Sequence, residues 1–171
     1  MLDQRSNRYC DDIAINIVNE GKIKSLSYLT LWSLIKEVGC SLSVLEQDQK
    51  KPVIGVLSQN QLNCILVDLA CLALGFKIVT IHINTISEHV SFILEHSVVT
   101  HLFLGGKKGN DIWSDIIDRS LIKTIAMDEK VKIDNSINWE QFLELGDKSV
   151  TFNVDEKLNS VNINDKQSIM Y

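Results

Sequence analysis

Short apolar segments alternate with longer segments of helical periodicity between residues 53 and 127, and this alternation restricts the fold more than any other feature. Val53–Ser58 is nearly continuously apolar, which is typical of a strand covered on both faces. Similar runs follow at Lys77–Ile83, Thr100–Leu104 and Leu121–Met127. Strands separated by single helices and short loops pair in parallel through right-handed crossovers. We therefore expect an α/β fold with a mostly parallel sheet and flanking helices.

Three helical segments connect these strands. The first is apolar most of the way round, which predicts a helix that lies between layers. Gly75 supplies its C-terminal stop, and polar residues are the candidate N-caps of the first and third helices. The predicted helices run from Asn60 as N-cap to about Leu74, from Thr85 or Ser87 through Glu95, and from Asn110 or Asp111 to about Ser120.

The region before residue 53 predicts a hairpin and one helix. Asp12–Val18 alternates and is rich in Ile, and Ile23–Tyr28 returns as a second strand after the turn at residues 19–22. Thr30 is then placed to cap a helix from about Leu31 to Leu45.

The pattern changes after Asp128. Trp139–Leu145 predicts one short helix that ends at Gly146, and Lys148–Lys166 is a polar connecting segment before an apolar run resumes at Ser168. We expect one partial domain over residues 1–171. It would consist of a βα core at 12–127, a short helix region at 128–147, and a linker with the start of the next strand at 148–171.

Charge and hydropathy argue against two classes of partner. The chain has 17 Lys+Arg, 22 Asp+Glu and a net charge of −5, without a basic cluster dense enough to hold nucleic acid. Its longest apolar stretch, Leu62–Phe76, is interrupted by Asn63 and Asp68 and is shorter than the roughly 20 residues of a membrane span. Met1–Asp12 lacks the apolar core of a signal peptide.

The four cysteines show no C-x-x-C spacing. Cys64 and Cys71 lie in an apolar helical run, which predicts small buried side chains. We therefore expect a reduced, cytoplasmic protein without structural disulfides.

One glycine-rich segment is a candidate for phosphate binding. Gly105 to Asn110 follows a strand and opens a helix, so its backbone amides could cradle a phosphate. Its spacing matches neither G-x-G-x-x-G nor G-x-x-x-x-G-K-[ST]. A surface turn that uses glycine flexibility is the favoured interpretation.

Four histidines, at positions 82, 89, 96 and 101, are candidate metal ligands. His89 and His96 share a helix face but lie seven residues apart, about 10 Å along the axis at 1.5 Å per residue. That distance is too long for one ion, so a solvated helix face is favoured.

Other reactive combinations are missing from the sequence. It contains no G-x-S-x-G, and no Cys–His pairing follows from sequence separation alone. Asp11-Asp12 and Asp128-Glu129 lie at element boundaries, where helix and turn chemistry explains them. The tryptophans are far apart and fit packing roles: Trp32, Trp113 and Trp139.

A series of segments has a distinctive order and spacing. The segments are Asp12-Ile13-Ala14-Ile15, Leu26-Ser27-Tyr28-Leu29-Thr30-Leu31, Pro52-Val53-Ile54-Gly55-Val56-Leu57-Ser58-Gln59-Asn60, Leu69-Ala70-Cys71-Leu72-Ala73-Leu74-Gly75, Ile78-Val79-Thr80-Ile81-His82-Ile83-Asn84, Glu88-His89-Val90-Ser91-Phe92-Ile93-Leu94-Glu95 and Asn138-Trp139-Glu140-Gln141-Phe142-Leu143. In this order they resemble the opening of the adenylate-forming ligase superfamily, which includes acyl-CoA synthetases, luciferases and the adenylation domains of peptide synthetases.

The resemblance extends from about residue 12 to residue 171. Among the members of the superfamily, the chain looks most like the fatty-acyl-CoA synthetases. One departure is Thr80, where many members have proline after an apolar pair.

The resemblance also says where the chemistry of such a ligase lies. Asp165-Lys166-Gln167-Ser168-Ile169-Met170-Tyr171 resembles the family segment that leads directly into a "TSGTTG"-type loop, which wraps the ATP phosphates. The adenine site, the Mg-binding glutamate, the ribose-binding aspartate and the C-terminal lysine come later still in such proteins. A complete homologue would therefore use ATP, Mg²⁺ and CoA. No catalytic, cofactor-binding or metal-binding residue can be carried over to residues 1–171.

The leading hypothesis is the N-terminal part of a ligase that activates a carboxylic acid to acyl-AMP and then forms an acyl-thioester. This chain alone would be inactive, its partner would be the remainder of the ligase, and exposed apolar surface would favour self-association. The alternative is a stand-alone α/β nucleotide- or acyl-CoA-binding or regulatory module, using the strand ends near Ser58, Ile83 and Gly105. A third possibility is an interaction scaffold without a small-molecule ligand.

Overall fold

The computed structural model of the chain describes residues 2–19, 21–46, 50–106, 122–147, 161 and 168–169. Five helices and eight strands lie in these ranges. The helices are α1 (Leu2–Arg8), α2 (Tyr28–Ser43), α3 (Leu62–Leu74), α4 (Ser87–His96) and α5 (Trp139–Asp147). The strands are β1 (Ile13–Asn19), β2 (Lys22–Ser27), β3 (Val53–Ser58), β4 (Lys77–Ile81), β5 (His101–Gly105), β6 (Lys123–Ala126), β7 (Ile137–Asn138) and β8 (Ser168–Ile169).

Six of the strands form one parallel sheet in the order β7-β6-β5-β3-β4-β8, and β1 and β2 form a separate antiparallel hairpin. The mostly parallel sheet agrees with the fold class that the alternating sequence pattern predicts. The two-residue strands β7 and β8 lie at the ends of this order, so the long, apolar strands β3, β4 and β5 occupy the middle.

The sheet separates two apolar clusters because successive side chains of a strand point to opposite faces. Ile54, Val56 and Phe103 face the first cluster, with side chains of α2, α3 and α5. Leu57 and Leu102 face the second cluster, with side chains of α4. The expectation that Val53–Ser58 forms a strand covered on both faces is therefore confirmed.

Helix α3 packs against both α2 and the sheet, which confirms the prediction of a helix between layers. Val67 and Cys71 on this helix are completely buried. Thirteen residues from Leu62 to Leu74 match the predicted extent, and Gly75 ends the helix at φ 64° as expected.

The predicted N-caps are wrong in both described helices that received one. Ser27 caps α2 by accepting a hydrogen bond from the Thr30 amide at 3.3 Å, so Thr30 lies within the helix. Gln61, not Asn60, is the N-cap of α3, and its side chain makes no capping bond. Helix α4 begins at Ser87, which is one of the two predicted starts, and Ile86 is its N-cap without a side-chain hydrogen bond.

Gly146 does not end the last helix, because α5 continues to Asp147. A Cβ at Gly146 would lie 2.9 Å from the Ser41 amide nitrogen on α2. The glycine therefore permits close contact between two helices, a tertiary role that its local sequence does not reveal.

Several other boundaries differ from the prediction by one to three residues, and two elements were not predicted. Strand β4 ends at Ile81 instead of Ile83, and helix α2 ends at Ser43 instead of about Leu45. Helix α1 and strand β7 had no predicted counterpart. The predicted helix from Asn110 or Asp111 to Ser120, and most of the predicted linker, lie outside the described residues. The division at 12–127, 128–147 and 148–171 stays a prediction.

Helices α3 and α4 end in the same hydrogen-bonded motif with different residues at its left-handed position. After α3, the Phe76 amide donates to Cys71 O at 2.9 Å and Gly75 has φ 64°. After α4, the Val99 amide donates to Leu94 O at 3.0 Å and Val98 has φ 55°. This conformation suits glycine and is strained for a β-branched residue. Val98 therefore carries strain that Gly75 avoids.

Replacing Val98 with glycine is expected to raise the free energy of unfolding by about 0.5–1 kcal/mol, because the relief of left-handed strain exceeds the extra backbone entropy of glycine. Val98 is 69% exposed, so little packing is lost. Urea denaturation measures the difference. The reverse variant Gly75→Ala should lower stability, since alanine is strained at the φ of 64° that Gly75 adopts. A loss of stability in Val98→Gly would contradict this account.

Candidate functional site

The crossover connections of the sheet change direction between β3 and β5. Strand β3 is followed in sequence by β4, its neighbour at one edge, whereas β5 is followed by β6, which lies on the side of β5 away from β3. The sheet therefore has a topological switch point between β3 and β5, and a crevice lies at the carboxyl ends of these strands, where open parallel sheets bind ligands.

This switch-point crevice has a volume of about 360 Å³. Its wall combines amide side chains, two charged residues and apolar residues of the β1–β2 hairpin. The lining residues are Ile17, Val18, Gln59, Asn60, Gln61, Leu62, Asn63, Gly106, Asp128 and Lys130.

The carboxylate of Asp128 connects three segments at the crevice. Its Oδ2 atom accepts hydrogen bonds from the Gly106 amide at 2.7 Å and from Gln61 Nε2 at 3.2 Å. Its Oδ1 atom accepts a bond from the Lys130 amide at 2.9 Å. Gln61 Nε2 also donates to Ser58 Oγ at 2.8 Å, and Asn63 Nδ2 donates to Met127 O at 2.8 Å. The segments after β3, β5 and β6 are thus held in one network.

This network explains why two glycines follow one another at the end of β5. A Cβ on Gly105 would collide with the side chains of Gln61 and Ser58. Gly106 adopts φ 90°, where a side chain is disfavoured, and its amide reaches Asp128 from that conformation. The two glycines therefore allow the segments after β3 and β6 to lie close to the end of β5.

The structure favours a turn over a phosphate cradle at the described start of Gly105–Asn110. The amide of Gly106 is already bonded to a carboxylate, and the negative charge of Asp128 opposes an anion at this point. Residues 107–110 of the predicted segment lie outside the described residues.

Two of the three strand ends predicted for a binding site meet at the crevice. Ser58 and Gly105 are paired neighbours in the parallel register of β3 and β5. Ile83 lies beyond the end of β4, and its side chain packs against the cluster that contains α4.

The histidines are distributed over separate parts of the fold. His89 and His96 are exposed on α4, which confirms the solvated helix face, and His96 stacks on Phe92 with a centroid distance of 5.3 Å. The Nδ1 atom of His82 accepts a bond from the Asn84 amide, and His101 is buried in β5. Within the described ranges, no group of three or more His, Cys, Asp or Glu residues is placed to hold a metal ion.

The four cysteines lie within the described ranges, and none of them forms a disulfide. Burial raises the pKa of Cys64 and Cys71, and the negative charge of Asp68 raises both further. Burial also raises the pKa of the Asp68 carboxyl. The buried position predicted for Cys71 is confirmed, and Cys64 is partly buried. A protonated, enclosed thiol is a poor nucleophile, so these positions suit packing.

A second cavity, of about 480 Å³, lies beside the start of α5 and shares Asp128 with the crevice. Asn138 and Gln141 form a reciprocal cap there, with Gln141 N donating to Asn138 Oδ1 at 2.8 Å and Asn138 N donating to Gln141 Oε1 at 3.0 Å. Sequence reasoning missed this cap, although its N-x-x-Q spacing was a usable signal. It also missed the pairing of Gln61 with Asp128, for which residues 67 positions apart give no local signal.

Among the residues that the structure describes, no helix is both long enough and apolar enough to cross a membrane.

The fold is shared with several solved ligases and a luciferase. Coronafacic acid ligase from Pectobacterium brasiliense is similar with a TM-score of 0.78 and 20% identity, over 99% of this chain and 32% of that one. A red-emitting luciferase from Phrixothrix hirtus has a TM-score of 0.70 and 18% identity, over 91% and 29%. O-succinylbenzoate coenzyme A synthetase from Bacillus subtilis has a TM-score of 0.61 and 18% identity, over 84% and 27%. The chain therefore spans less than a third of each of these proteins.

The sheet order, the flanking helices and these similarities place the fold with the N-terminal subdomain of adenylate-forming ligases. The family model described as "AMP-binding enzyme" matches residues 2–171, so the chain belongs to the AMP-binding enzyme family. The fold class and the superfamily resemblance read from the sequence are both confirmed. The comparison with curated proteins gives no match.

Replacing Asp128 with asparagine is expected to lower the free energy of unfolding by about 2 kcal/mol, because a charged acceptor of three hydrogen bonds is replaced by a neutral amide. The neighbouring variant Glu129→Gln alters an exposed carboxylate and should change stability by less than about 0.5 kcal/mol. Urea denaturation of the two variants gives the comparison. Equal effects would contradict the role assigned to Asp128.

Proposed function

We propose that the chain is the N-terminal part of an adenylate-forming ligase. The complete enzyme would activate a carboxylic acid with ATP to an acyl-AMP and then form an acyl-thioester with CoA or a carrier thiol. The observation that carries this proposal is the family match over residues 2–171, and the shared fold with solved ligases supports it.

The chemistry of such a reaction places clear demands on a protein. Adenylate formation needs hydrogen-bond donors and cations around the phosphates, usually with Mg²⁺, to stabilise the charge that develops during transfer. The described residues at the switch-point crevice supply a carboxylate whose neighbouring amides are already bonded. These residues are better suited to connecting the loops at the carboxyl ends of the strands than to binding a triphosphate. ATP, Mg²⁺ and a thiol are therefore proposed for the complete enzyme, with the phosphate-binding groups outside the described residues.

The acid substrate is a finer proposal. The resemblance of the sequence to fatty-acyl-CoA synthetases favours a fatty acid, and it rests on the segments quoted above. A set of carboxylic acids of different chain length, offered to the full-length enzyme in a thioester-forming assay, would test it. Location in the cytoplasm likewise stays a prediction.

A second candidate function is a stand-alone binding module. The convergence of Ser58 and Gly105 at the switch-point crevice favours it, because such crevices bind ligands in open parallel sheets. Titration calorimetry of the chain with ATP, AMP and acyl-CoA separates the two functions. Saturable binding by residues 1–171 alone would favour the module. The reading frame downstream of the Tyr171 codon provides a second test, since an encoded "TSGTTG" loop would favour the ligase.

The purified 171-residue chain is expected to show no ATP–pyrophosphate exchange above background, because the phosphate-binding and catalytic motifs of the family are not among its residues. A longer protein that includes those motifs is the positive control. Exchange by the 171-residue chain, lost on addition of EDTA, would contradict the prediction.

Self-association through exposed apolar surface is also proposed. Val18 and Ile23 face each other across the hairpin and are each 70% exposed. The double variant Val18→Thr/Ile23→Thr should bind less of a hydrophobic dye and sediment as a smaller species at high concentration, because Thr keeps the strand propensity but removes apolar area. Val44→Thr, at an exposed site on the end of α2, is the control. A monomeric unmodified chain without dye binding would contradict the proposal.

A further inference from the structure

At the amino ends of the strands, opposite the switch-point crevice, Thr100 joins three strands. Its amide donates to Val53 O at 2.9 Å, and its carbonyl accepts from the Lys123 amide at 3.2 Å. Its hydroxyl accepts from the Val53 amide and donates to Val53 O, both at 3.1 Å. One residue therefore connects the starts of β3, β5 and β6.

The buried side chain of His101, the first residue of β5, contacts the Thr100 hydroxyl at this junction. Its side chain is only 7% exposed, and its Nδ1 atom lies 3.0 Å from Thr100 Oγ1. Because the Thr100 hydroxyl donates its single proton to Val53 O, we assign the hydrogen of this contact to Nδ1. The neutral ring then has a bare lone pair on Nε2. Within the part of the chain that the structure describes, Nε2 has no hydrogen-bond partner.

The surroundings of the ring oppose a positive charge. In the row of paired residues, His101 lies between Ile54 of β3 and Lys123 of β6. Lys123 is the charged side chain of the described residues that acts on the ring, and its charge is of the same sign as imidazolium. The three helices over this face, α2, α3 and α5, contribute apolar side chains to the cluster beneath it: Leu42, Leu74 and Phe142.

We propose that His101 is an acid-sensitive lock that holds the amino ends of β3, β5 and β6 together while its ring is neutral. Protonation places a second N–H donor, without an acceptor, and a positive charge beside Lys123 in an enclosed site. The protonated ring is then more stable in water than in its enclosed site, and its movement outward breaks the contact with Thr100, so that the three strand starts joined by Thr100 separate more easily. This inference concerns the fold itself and is independent of the proposed function.

The direction of the pH dependence follows from proton linkage. Burial, and to a smaller extent the positive charge of Lys123, lower the pKa of His101 from 6.5 to about 4. The unfolded chain therefore binds more protons than the folded chain between these values. The contribution of neutral His101 to stability is complete above pH 6.5 and is lost as the pH falls toward 4.

The variant His101→Asn tests the lock, because the Asn side-chain amide can still donate to Thr100 but does not titrate. Urea unfolding of the full chain is measured between pH 7 and pH 5. The unfolding constant of the unmodified chain should rise more steeply than that of His101→Asn, by a factor on the order of tenfold. His89→Asn, which removes an exposed imidazole from α4, is the matched control and should follow the unmodified chain. Parallel profiles for His101→Asn and the unmodified chain would overturn the proposal.

A second measurement needs no substitution. Long-range ¹H–¹⁵N NMR of the unmodified chain reports the tautomer and titration midpoint of His101, and amide exchange reports the strand starts. A neutral Nδ1–H ring down to about pH 5, with exchange at Val53 and Lys123 accelerating below that pH ahead of global unfolding, supports the lock. A midpoint near 6.5, or exchange that increases uniformly along the sheet, overturns it even if His101→Asn fails to fold.

Discussion

The carboxyl edge of the sheet depends on one carboxylate, that of Asp128. It accepts hydrogen bonds from the segments that follow β3 and β5 and from its own turn after β6, so three loops with different sequences share one anchor. The same contact decides the chemistry of the switch-point crevice. The Gly106 amide that could have met an anion is occupied, and the site presents amide side chains and apolar hairpin residues instead. The described residues of the crevice therefore hold the loops together and leave the Gly106 amide without a free hydrogen for a phosphate.

At each end of the parallel sheet, one residue joins several strands or loops by hydrogen bonds, but the bonding groups differ. At the carboxyl end, a charged group that stays partly open to solvent gathers several N–H donors. At the amino end, the hydroxyl and backbone of Thr100 gather β3, β5 and β6, and a neutral imidazole lies against that hydroxyl. The first junction therefore rests on a charge that water can reach, and the second on a neutral ring that neighbouring elements enclose.

Regular elements were predictable because their signals are local. The apolar run Val53–Ser58 and the stripe that ends at Gly75 lie within a few residues of the structure that they specify. The helix starts were less predictable, because a cap is decided by competition for a side chain. Gln61 illustrates this point: it stands at an N-cap position, but its amide is bonded to Ser58 and Asp128. Gly146 looked like a helix stop, and it proved to be a contact point with α2.

The sequence alone determined the α/β class, the order of the main strands and helices, and the membership of the adenylate-forming superfamily, because hydrophobic periodicity and motif order are properties of the chain itself. Only the tertiary structure decided which strand ends meet, that Asp128 accepts a hydrogen bond from the Gly106 amide, and that His101 is enclosed beside Lys123. These features join residues distant in sequence, or depend on burial that neighbouring elements create. A local sequence pattern predicts neither the long-range contacts nor the burial.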